Sequence, residues 1–424
     1  MGTADTGRPD SGAHPAPGTH PVPGAHPVTV VHSARIVTGG RVQNDGWVRF
    51  EHGRVAATGT GSGWREGGLV SSEAGASADV VDAEGAWLTP GFIDIHNHGG
   101  GGAAFDDGPD AIRTALALHQ QHGTTRFVIS LVTAPVDALA GRVAAVADLV
   151  ETDERILGSH LEGPFLDVGH KGAHDPALLR SATPDDIAVL VGAARGTLRQ
   201  ITLAPELPGG LDAVRAFSSA GVAVAVGHTG ADYDQTLAAF DAGASILTHA
   251  FNGMDGIHHR APGPVAAAAR THGVTLEIIN DGIHVHPEVV RMTFASAPGH
   301  VALITDAMAA AGSSDGDYVL GSLGVTVRDG VARLADGGSI AGSTLTLDDA
   351  LRRAVREVGL PVEDAVLALT ATPARAIGRG HDLGGLAAGY AADAVLLDAD
   401  FHIRQVWTAG APLRPTPLRG GKRV

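Results

Sequence analysis

The 424-residue chain contains no cysteine, which excludes disulfide bonds, cysteine-ligated zinc and thiol catalysis. Lysine is almost absent as well, because only Lys171 and Lys422 occur beside 28 arginines. No apolar run approaches the ~20 residues that a membrane-spanning helix needs. Acidic residues outnumber basic ones by 46 to 30, and the resulting net charge of −16 argues against a general nucleic-acid-binding protein. Histidine, by contrast, is plentiful at 22 residues, and an apolar content of 44% is typical of a globular protein.

Residues 1–27 differ in composition from the rest of the chain. They are rich in proline and glycine and carry a His-Pro repeat at His14, His20 and His26. This composition predicts a disordered tail rather than a packed element. The segment has no apolar signal core, so we expect a cytoplasmic protein with neither a membrane nor a nucleic acid as partner.

The two ends of the remaining chain share a β-type pattern. Short alternating runs broken by glycine, such as 28–32 and 34–38, fill residues 28–88, and similar runs return in residues 379–424. We therefore predict one small β-sandwich that is built from both chain ends.

Residues 89–378 alternate apolar runs with segments of helical spacing, such as 109–122 and 362–377. Such alternation predicts a parallel sheet with right-handed crossovers, and eight units predict a closed TIM-like (β/α)8 barrel. A doubly wound open sheet is the alternative, but the chain has no glycine fingerprint for a dinucleotide. The eight apolar runs are 91–96, 125–130, 156–162, 200–204, 222–228, 245–249, 274–279 and 301–306.

Polar residues recur at the carboxyl ends of these runs, where the active sites of barrels are built. The residues concerned are Asp94, His96, His98, Glu162, His228, His249 and Asp306. Burying so many histidines and carboxylates together is unfavourable unless a cation gathers them. Nitrogen and oxygen ligands of this kind suit zinc or iron, and a bound divalent metal makes water a nucleophile near neutral pH.

Two details refine this hypothesis. His96 and His98 are two residues apart and point to the same side of an extended chain, so both can reach one ion. The alternative is that only one of them binds the ion and the other contacts a ligand. Asp306, at the end of the last run, is placed to take a proton from water and deliver it to a leaving group. The alternative role of Asp306 is that of a helix N-cap.

Several short stretches together resemble the amidohydrolase superfamily and, within it, the N-acetylglucosamine-6-phosphate deacetylase family. The resemblance runs from about residue 28 to the end of the chain. The stretches that carry it are 90–99 (PGFIDIHNHG), 161–165 (LEGPF), 171–174 (KGAH), 227–229 (GHT), 248–254 (THAFNGM), 281–284 (DGIH), 305–308 (TDAM), 341–343 (AGS) and 386–393 (LAAGYAAD).

The resemblance implies a metal centre with one or two divalent ions, of which zinc is the expected kind. It implies that Glu162, His228 and His249 hold the main ion. His96 and His98 would then hold a second ion, with Glu162 as the bridge.

The resemblance also implies catalytic and substrate-binding roles. Asp306 would act as general base and then as general acid, and His174 would come from a loop to polarise the acetamide carbonyl. The residues implied to hold the sugar phosphate are Asn252, Gly253, Arg260 and His284, and those implied to line the sugar pocket are Ala173, Ile340, Ala341 and Gly342. In this family the phosphate-binding arginine comes from the partner subunit, so a homodimer is implied. The sequence departs from the family pattern at two places: Gly253 stands where alanine is usual, and two histidines precede Arg260.

The activity implied is the metal-dependent deacetylation of N-acetylglucosamine 6-phosphate to glucosamine 6-phosphate and acetate. Another superfamily member, such as a cyclic amidase or a deacetylase of a related amino sugar, is the first alternative. Dihydroorotases and hydantoinases commonly bridge two metals with a carboxylated lysine on a barrel strand, but neither Lys171 nor Lys422 lies on a predicted barrel strand. The second alternative, a non-catalytic sugar-phosphate sensor, would lack a metal ligand or the base, and none of them is missing here.

Overall fold

The structure is a computed structural model that describes residues 28–65 and 79–413. The predicted tail 1–27, and Lys422 with the rest of 414–424, lie outside the described residues. Among the helices of the described part, none is both long enough and apolar enough to cross a membrane.

The secondary structure follows the predicted order of β, mixed α/β and β segments. The strands are β1 (Thr29–Thr38), β2 (Arg41–Glu51), β3 (Arg54–Thr60), β4 (Asp79–Asp82), β5 (Trp87–Pro90), β6 (Phe92–Asp94), β7 (Gly99–Gly100), β8 (Ala103–Ala104), β9 (Thr124–Val132), β10 (Ile156–Glu162), β11 (Leu198–Leu203), β12 (Ala223–Val226), β13 (Ala244–Leu247), β14 (Thr275–Ile279), β15 (Val301–Ile304), β16 (Gly316–Leu320), β17 (Leu323–Arg328), β18 (Val331–Leu334), β19 (Ala394–Leu397), β20 (Ile403–Thr408) and β21 (Ala411–Pro412). The α-helices are α1 (Pro109–Gln121), α2 (Val136–Val150), α3 (Pro184–Ala194), α4 (Gly210–Ser219), α5 (Tyr233–Asp241), α6 (Gly263–Arg270), α7 (Pro287–Ser296), α8 (Leu347–Arg356), α9 (Val362–Leu369) and α10 (Ala371–Ala376).

The predicted barrel is confirmed. All eight predicted runs coincide with parallel strands, in the spatial order β6-β9-β10-β11-β12-β13-β14-β15. Residues of β9, β10 and β14 are buried throughout, because helices cover one face of the sheet and the barrel core fills the other. The seam between β6 and β15 is joined just beyond the strands, where Asp306 N donates to His96 O at 2.9 Å and His98 N donates to Ala307 O at 2.8 Å.

The predicted helices lie between and after the barrel strands. The segment 362–377 is divided into α9 and α10, with Thr370 outside the helical region at φ −132° and ψ −84°. Pro373 explains the break, because its ring has no N–H for the preceding turn and crowds the carbonyl four residues earlier.

Both chain ends contribute to one further sheet, as predicted. Its order is β21-β20-β19-β5-β1-β2-β3, and β4 pairs with the first half of β1. Trp407 and Phe50 are the largest of its fully buried side chains. The runs 28–32 and 34–38 form one strand rather than two, since the positive φ of Ser33 (57°) shifts the register within β1 without ending it.

A buried ion pair connects this sheet to the barrel. Arg126, in β9, donates to both carboxylate oxygens of Asp393, at 2.5 and 3.1 Å, and Asp393 also accepts from Ala409 N at 2.8 Å. Asp393 ends the stretch 386–393, which leads the chain back into this sheet, so the pair holds the returning chain against the barrel wall.

A small antiparallel sheet, β16-β17-β18, is inserted after the last barrel strand and was not predicted from the sequence. Asp329 and Gly330 form the tight turn between β17 and β18, with φ values of 50° and 73° that suit a two-residue hairpin turn. Leu320, in β16, packs with Val132 and Met308, so the insertion covers part of the carboxyl-terminal face of the barrel.

Candidate metal centre and active site

Three residues of the candidate site lie just after barrel strands, in backbone conformations that are uncommon for residues with side chains. His228, His249 and Asp306 all have positive φ, at 47°, 23° and 48°. Such strained backbone is concentrated at functional sites, where the surrounding structure must hold it in place. Neighbouring glycines make room for the centre: a Cβ on Gly172 or Gly253 would approach the ring of His228 to 2.8 Å.

Glu162 lies at the middle of the cluster. Its Oε1 is 3.1 Å from the Nε2 atoms of both His228 and His249. Its Oε2 is 3.1 Å from His98 Nε2, and His96 Nε2 is 3.4 Å from Oε1. The fold therefore brings together the five side chains that the sequence analysis selected as metal ligands, with one carboxylate between two pairs of imidazoles.

Hydrogen bonds show which nitrogen of each ring faces the centre. His228 Nδ1 lies 2.8 Å from the backbone oxygen of His170. His249 Nδ1 lies 3.1 Å from the backbone oxygen of Asn252. A carbonyl oxygen only accepts, so each Nδ1 carries a proton and each neutral ring keeps its lone pair on Nε2.

The Nε2 atoms of the four candidate histidine ligands face the centre in two close pairs. The Nε2 atoms of His228 and His249 are 3.1 Å apart, and those of His96 and His98 are 3.2 Å apart. Lone pairs held this close beside a carboxylate repel unless a cation lies among them. The donor set therefore fits a divalent metal ion.

The surroundings keep Glu162 ionised. Burial alone would raise the pKa of this carboxyl group, but the imidazole rings of His96, His174, His228 and His249 around it hold the pKa well below its usual range. An ionised carboxylate is the form that a metal site requires.

Asp306 lies at the edge of the cluster, facing the cavity. Its Oδ1 is 3.4 Å from His98 Nε2 and 3.6 Å from His96 Nε2. Residues 309–312, which follow it, form turns rather than a helix, so the N-cap alternative does not apply. Asp94 accepts hydrogen bonds from Thr305 Oγ1 at 2.7 Å and Asn97 Nδ2 at 3.0 Å, and thus supports the loops that carry the ligands.

The loop after β10 brings His174 to the same place. His174 Nε2 lies 3.4 Å from Glu162 Oε2, and its ring packs edge-on against His228 at 4.6 Å. Burial lowers the pKa of His174 to about 4, although Glu162 opposes the shift. A neutral ring of this kind can donate one N–H to a carbonyl oxygen.

A cavity of about 150 Å³ opens above the cluster. Val132 and Leu320 form part of its apolar wall. The predicted substrate residues that line it are Ala173, Asn252, Gly253, His284, Ile340 and Gly342. His284 is fixed by Asp281, whose Oδ2 lies 2.6 Å from His284 Nδ1.

Two predicted substrate residues lie elsewhere. Ala341 is fully buried behind the cavity wall, where its N–H donates to Ala332 O at 3.1 Å, so only the residues on either side of it face the cavity. Arg260 is exposed on the loop between β13 and α6 and does not line the cavity of its own chain.

Two polar residues inside the barrel were given no role on the basis of the sequence. Glu277, in β14, is fully buried, and its Oε2 lies 3.0 Å from His96 Nδ1. His160, in β10, is held between Ser130 Oγ and Thr202 Oγ1, both at 2.9 Å. The available signal was an acidic residue inside the apolar run 274–279.

Comparison with protein families gives a match over most of the chain. The model of the amidohydrolase family matches residues 87–416. The matched region contains all of the barrel and the second part of the sheet from the chain ends.

Curated relatives are similar along most of their own length. An N-acetylgalactosamine-6-phosphate deacetylase from Escherichia coli O157:H7 is 38% identical over 81% of this chain and 92% of its own. An N-acetylglucosamine-6-phosphate deacetylase from Vibrio furnissii is also 38% identical, over 78% of this chain and 84% of its own. Among solved structures, a variant of the N-acetyl-D-glucosamine-6-phosphate deacetylase from Mycobacterium smegmatis, in complex with N-acetyl-D-glucosamine-6-phosphate, is 41% identical, with a TM-score of 0.84 over 91% of this chain and 99% of that one.

Proposed function

The chain belongs to the amidohydrolase family, and we propose that it deacetylates N-acetylglucosamine 6-phosphate to glucosamine 6-phosphate and acetate. The observation that carries the proposal is the grouping of Glu162, His228, His249 and Asp306 at the mouth of one barrel, beneath a cavity that predicted sugar-binding residues line. Relatives that act on this sugar phosphate are similar over most of the chain.

In the proposed centre, Glu162, His228 and His249 would hold a first divalent ion, and His96 and His98, with the same Glu162, would hold a second. Zinc suits this set of nitrogen and oxygen donors, and iron is the alternative. A divalent ion, when bound, supplies the Lewis acidity that makes water a nucleophile near neutral pH.

The side chains of the protein move the proton and orient the amide. Asp306 takes a proton from the attacking water and returns it to the amide nitrogen, so that the C–N bond breaks with a neutral amine as leaving group. His174 donates an N–H to the acetyl carbonyl oxygen, on which negative charge develops during the attack. Asn252, Gly253 and His284 hold the sugar phosphate above them.

We further propose that the active form is a homodimer in which Arg260 serves the site of the partner subunit. Its exposure on a loop outside its own cavity supports this role. The same loop borders an apolar groove of about 710 Å³, where Ile257 is 57% and Met292 is 66% exposed. A second copy that covers this groove would bury both side chains and bring Arg260 to a neighbouring site. The cytoplasmic location remains a prediction.

A substrate panel tests the reaction. We expect acetate release from N-acetylglucosamine 6-phosphate to be far faster than from unphosphorylated N-acetylglucosamine, because the phosphate adds charge-assisted contacts. N-acetylgalactosamine 6-phosphate is the second candidate substrate, since the relative from Escherichia coli O157:H7 is named for it. A higher kcat/KM for the galactose epimer would transfer the assignment to that sugar, and no acetate from either phosphate would refute the proposal.

A further inference from the structure

Glu277 is a buried acidic side chain that the proposed reaction does not use. It lies in the middle of β14, in the barrel interior. Its carboxylate accepts from Gln200 Nε2 at 2.8 Å and from His249 N at 3.3 Å, and its Oε2 is 3.0 Å from His96 Nδ1. Burying a carboxylate is unfavourable unless donors surround it, and here three donors from three different parts of the barrel converge on one group.

The contact with Glu277 fixes the state of the His96 ring. A carboxylate accepts the Nδ1 proton, so the lone pair of the neutral ring stays on Nε2. That nitrogen points at the centre, 3.2 Å from His98 Nε2 and 3.4 Å from Glu162 Oε1. Glu277 therefore holds His96 in the one tautomer that can bind a metal through Nε2.

The two pairs of histidines are supported differently. His228 and His249 are oriented by backbone oxygens, which no substitution of a side chain removes. His96 depends on the side chain of Glu277. Loss of that side chain should consequently weaken the binding of the second ion more than that of the first.

We propose that Glu277 is the positioning residue of the second metal site: by orienting His96, it determines whether the chain holds one ion or two. This inference rests on the proposed two-metal centre. It concerns metal binding alone, so it can be tested without substrate.

The decisive variant is Glu277→Gln, which preserves volume but leaves one acceptor oxygen where the carboxylate had two. Whichever way the new amide turns, His96 loses the carboxylate, because its Nδ1–H then faces either a neutral amide oxygen or an N–H group. The metal content of the purified full chain is measured after equilibrium dialysis against a series of buffered free Zn²⁺ concentrations. We expect the wild type to bind two ions, and Glu277→Gln to keep the first while its affinity for the second falls about 10- to 100-fold.

Two comparisons separate positioning from a merely structural role. Gln200→Met removes another donor from the same carboxylate without touching His96, and it should keep both ions. In a His96→Ala background, Glu277→Gln should cause no further loss of metal, because the residue through which it acts is already gone. If Glu277→Gln does not fold, Glu277→Asp is measured in its place, with the same expected loss, since its shorter side chain withdraws the oxygens from His96.

The inference is overturned if the second-site affinity of the Glu277 variant changes less than threefold. It is also overturned if Glu277→Gln causes an equally large loss of metal in the His96→Ala background, or if the wild type binds only one ion at every Zn²⁺ concentration. A chain that binds two ions but releases no acetate refutes the proposed reaction and leaves this inference standing.

Discussion

The substitution Asp306→Asn tests the proposed proton transfer. Asparagine has the same shape but cannot accept a proton as a carboxylate does. The backbone at this position is held independently of the side chain, because Asp306 N donates to His96 O at 2.9 Å and Ser343 N donates to Asp306 O at 2.7 Å. The variant should therefore keep the fold, the metal and the cavity.

The expected loss follows from the role and the position of the group. Asp306 Oδ1 lies within 3.6 Å of both His96 Nε2 and His98 Nε2, at the point where the cluster meets the cavity. Removing a general acid-base group typically costs ~10²–10⁴ in rate, which corresponds to about 3–5 kcal/mol of barrier height. We expect kcat to fall by this factor, while KM changes little.

The assay is acetate release at saturating N-acetylglucosamine 6-phosphate, with metal content and thermal unfolding measured on the same samples. Asp317→Asn is the control: it removes the same charge from an exposed position in β16, and it should leave kcat unchanged. The acidic limb of the pH–rate profile should disappear in Asp306→Asn. Near-normal turnover with an unchanged acidic limb would show that another group moves the proton.

Three further substitutions test the substrate contact, the dimer and the link between sheet and barrel. Arg260→Ala should raise KM about 10- to 100-fold for the phosphorylated sugar but little for plain N-acetylglucosamine, since a charge-assisted contact with the phosphate is lost. An equal rise in KM for both sugars would show that Arg260 does not bind the phosphate. Ile257→Asp should convert the dimer to a monomer, as measured by light scattering. Val319→Asp, which changes an equally exposed residue elsewhere on the surface, should leave the dimer intact. A dimer that persists in Ile257→Asp would show that the groove is not the dimer interface. Asp393→Ala should lower the free energy of unfolding by about 3–5 kcal/mol in denaturant titrations, because the buried Arg126 loses its buried carboxylate partner and keeps only the exposed Glu154. A change below 1 kcal/mol would contradict that.

The barrel and the centre of the site could be predicted because their signals are local in sequence. Each candidate ligand lies at the end of an apolar run or within two residues of it, and the topology of a barrel brings such ends together whatever lies between them. His228 and His249, which are 21 residues apart, illustrate this: once both runs are barrel strands, their ends must meet at the same face.

The features that were not predicted depend on which way side chains face within a strand and on how short strands pair. Glu277 lies within an apolar run, and the spacing alone does not show whether its side chain faces the barrel interior. The hairpin at Asp329 and Gly330 had a recognisable turn signal, but the strands around it are short and half exposed. Arg260 was not missed, but its proposed role outside its own chain came from the resemblance to a family, because no pattern within one chain reveals it.

The most direct test of the central claim is metal reconstitution of the wild type and of His228→Ala. Each is stripped with a chelator, and acetate release from N-acetylglucosamine 6-phosphate is then followed as Zn²⁺ is added. We predict that the stripped wild type is inactive and recovers in proportion to the ion bound, while His228→Ala neither retains the first ion nor recovers. Undiminished activity of the metal-free wild type, or full recovery of His228→Ala, would contradict the account.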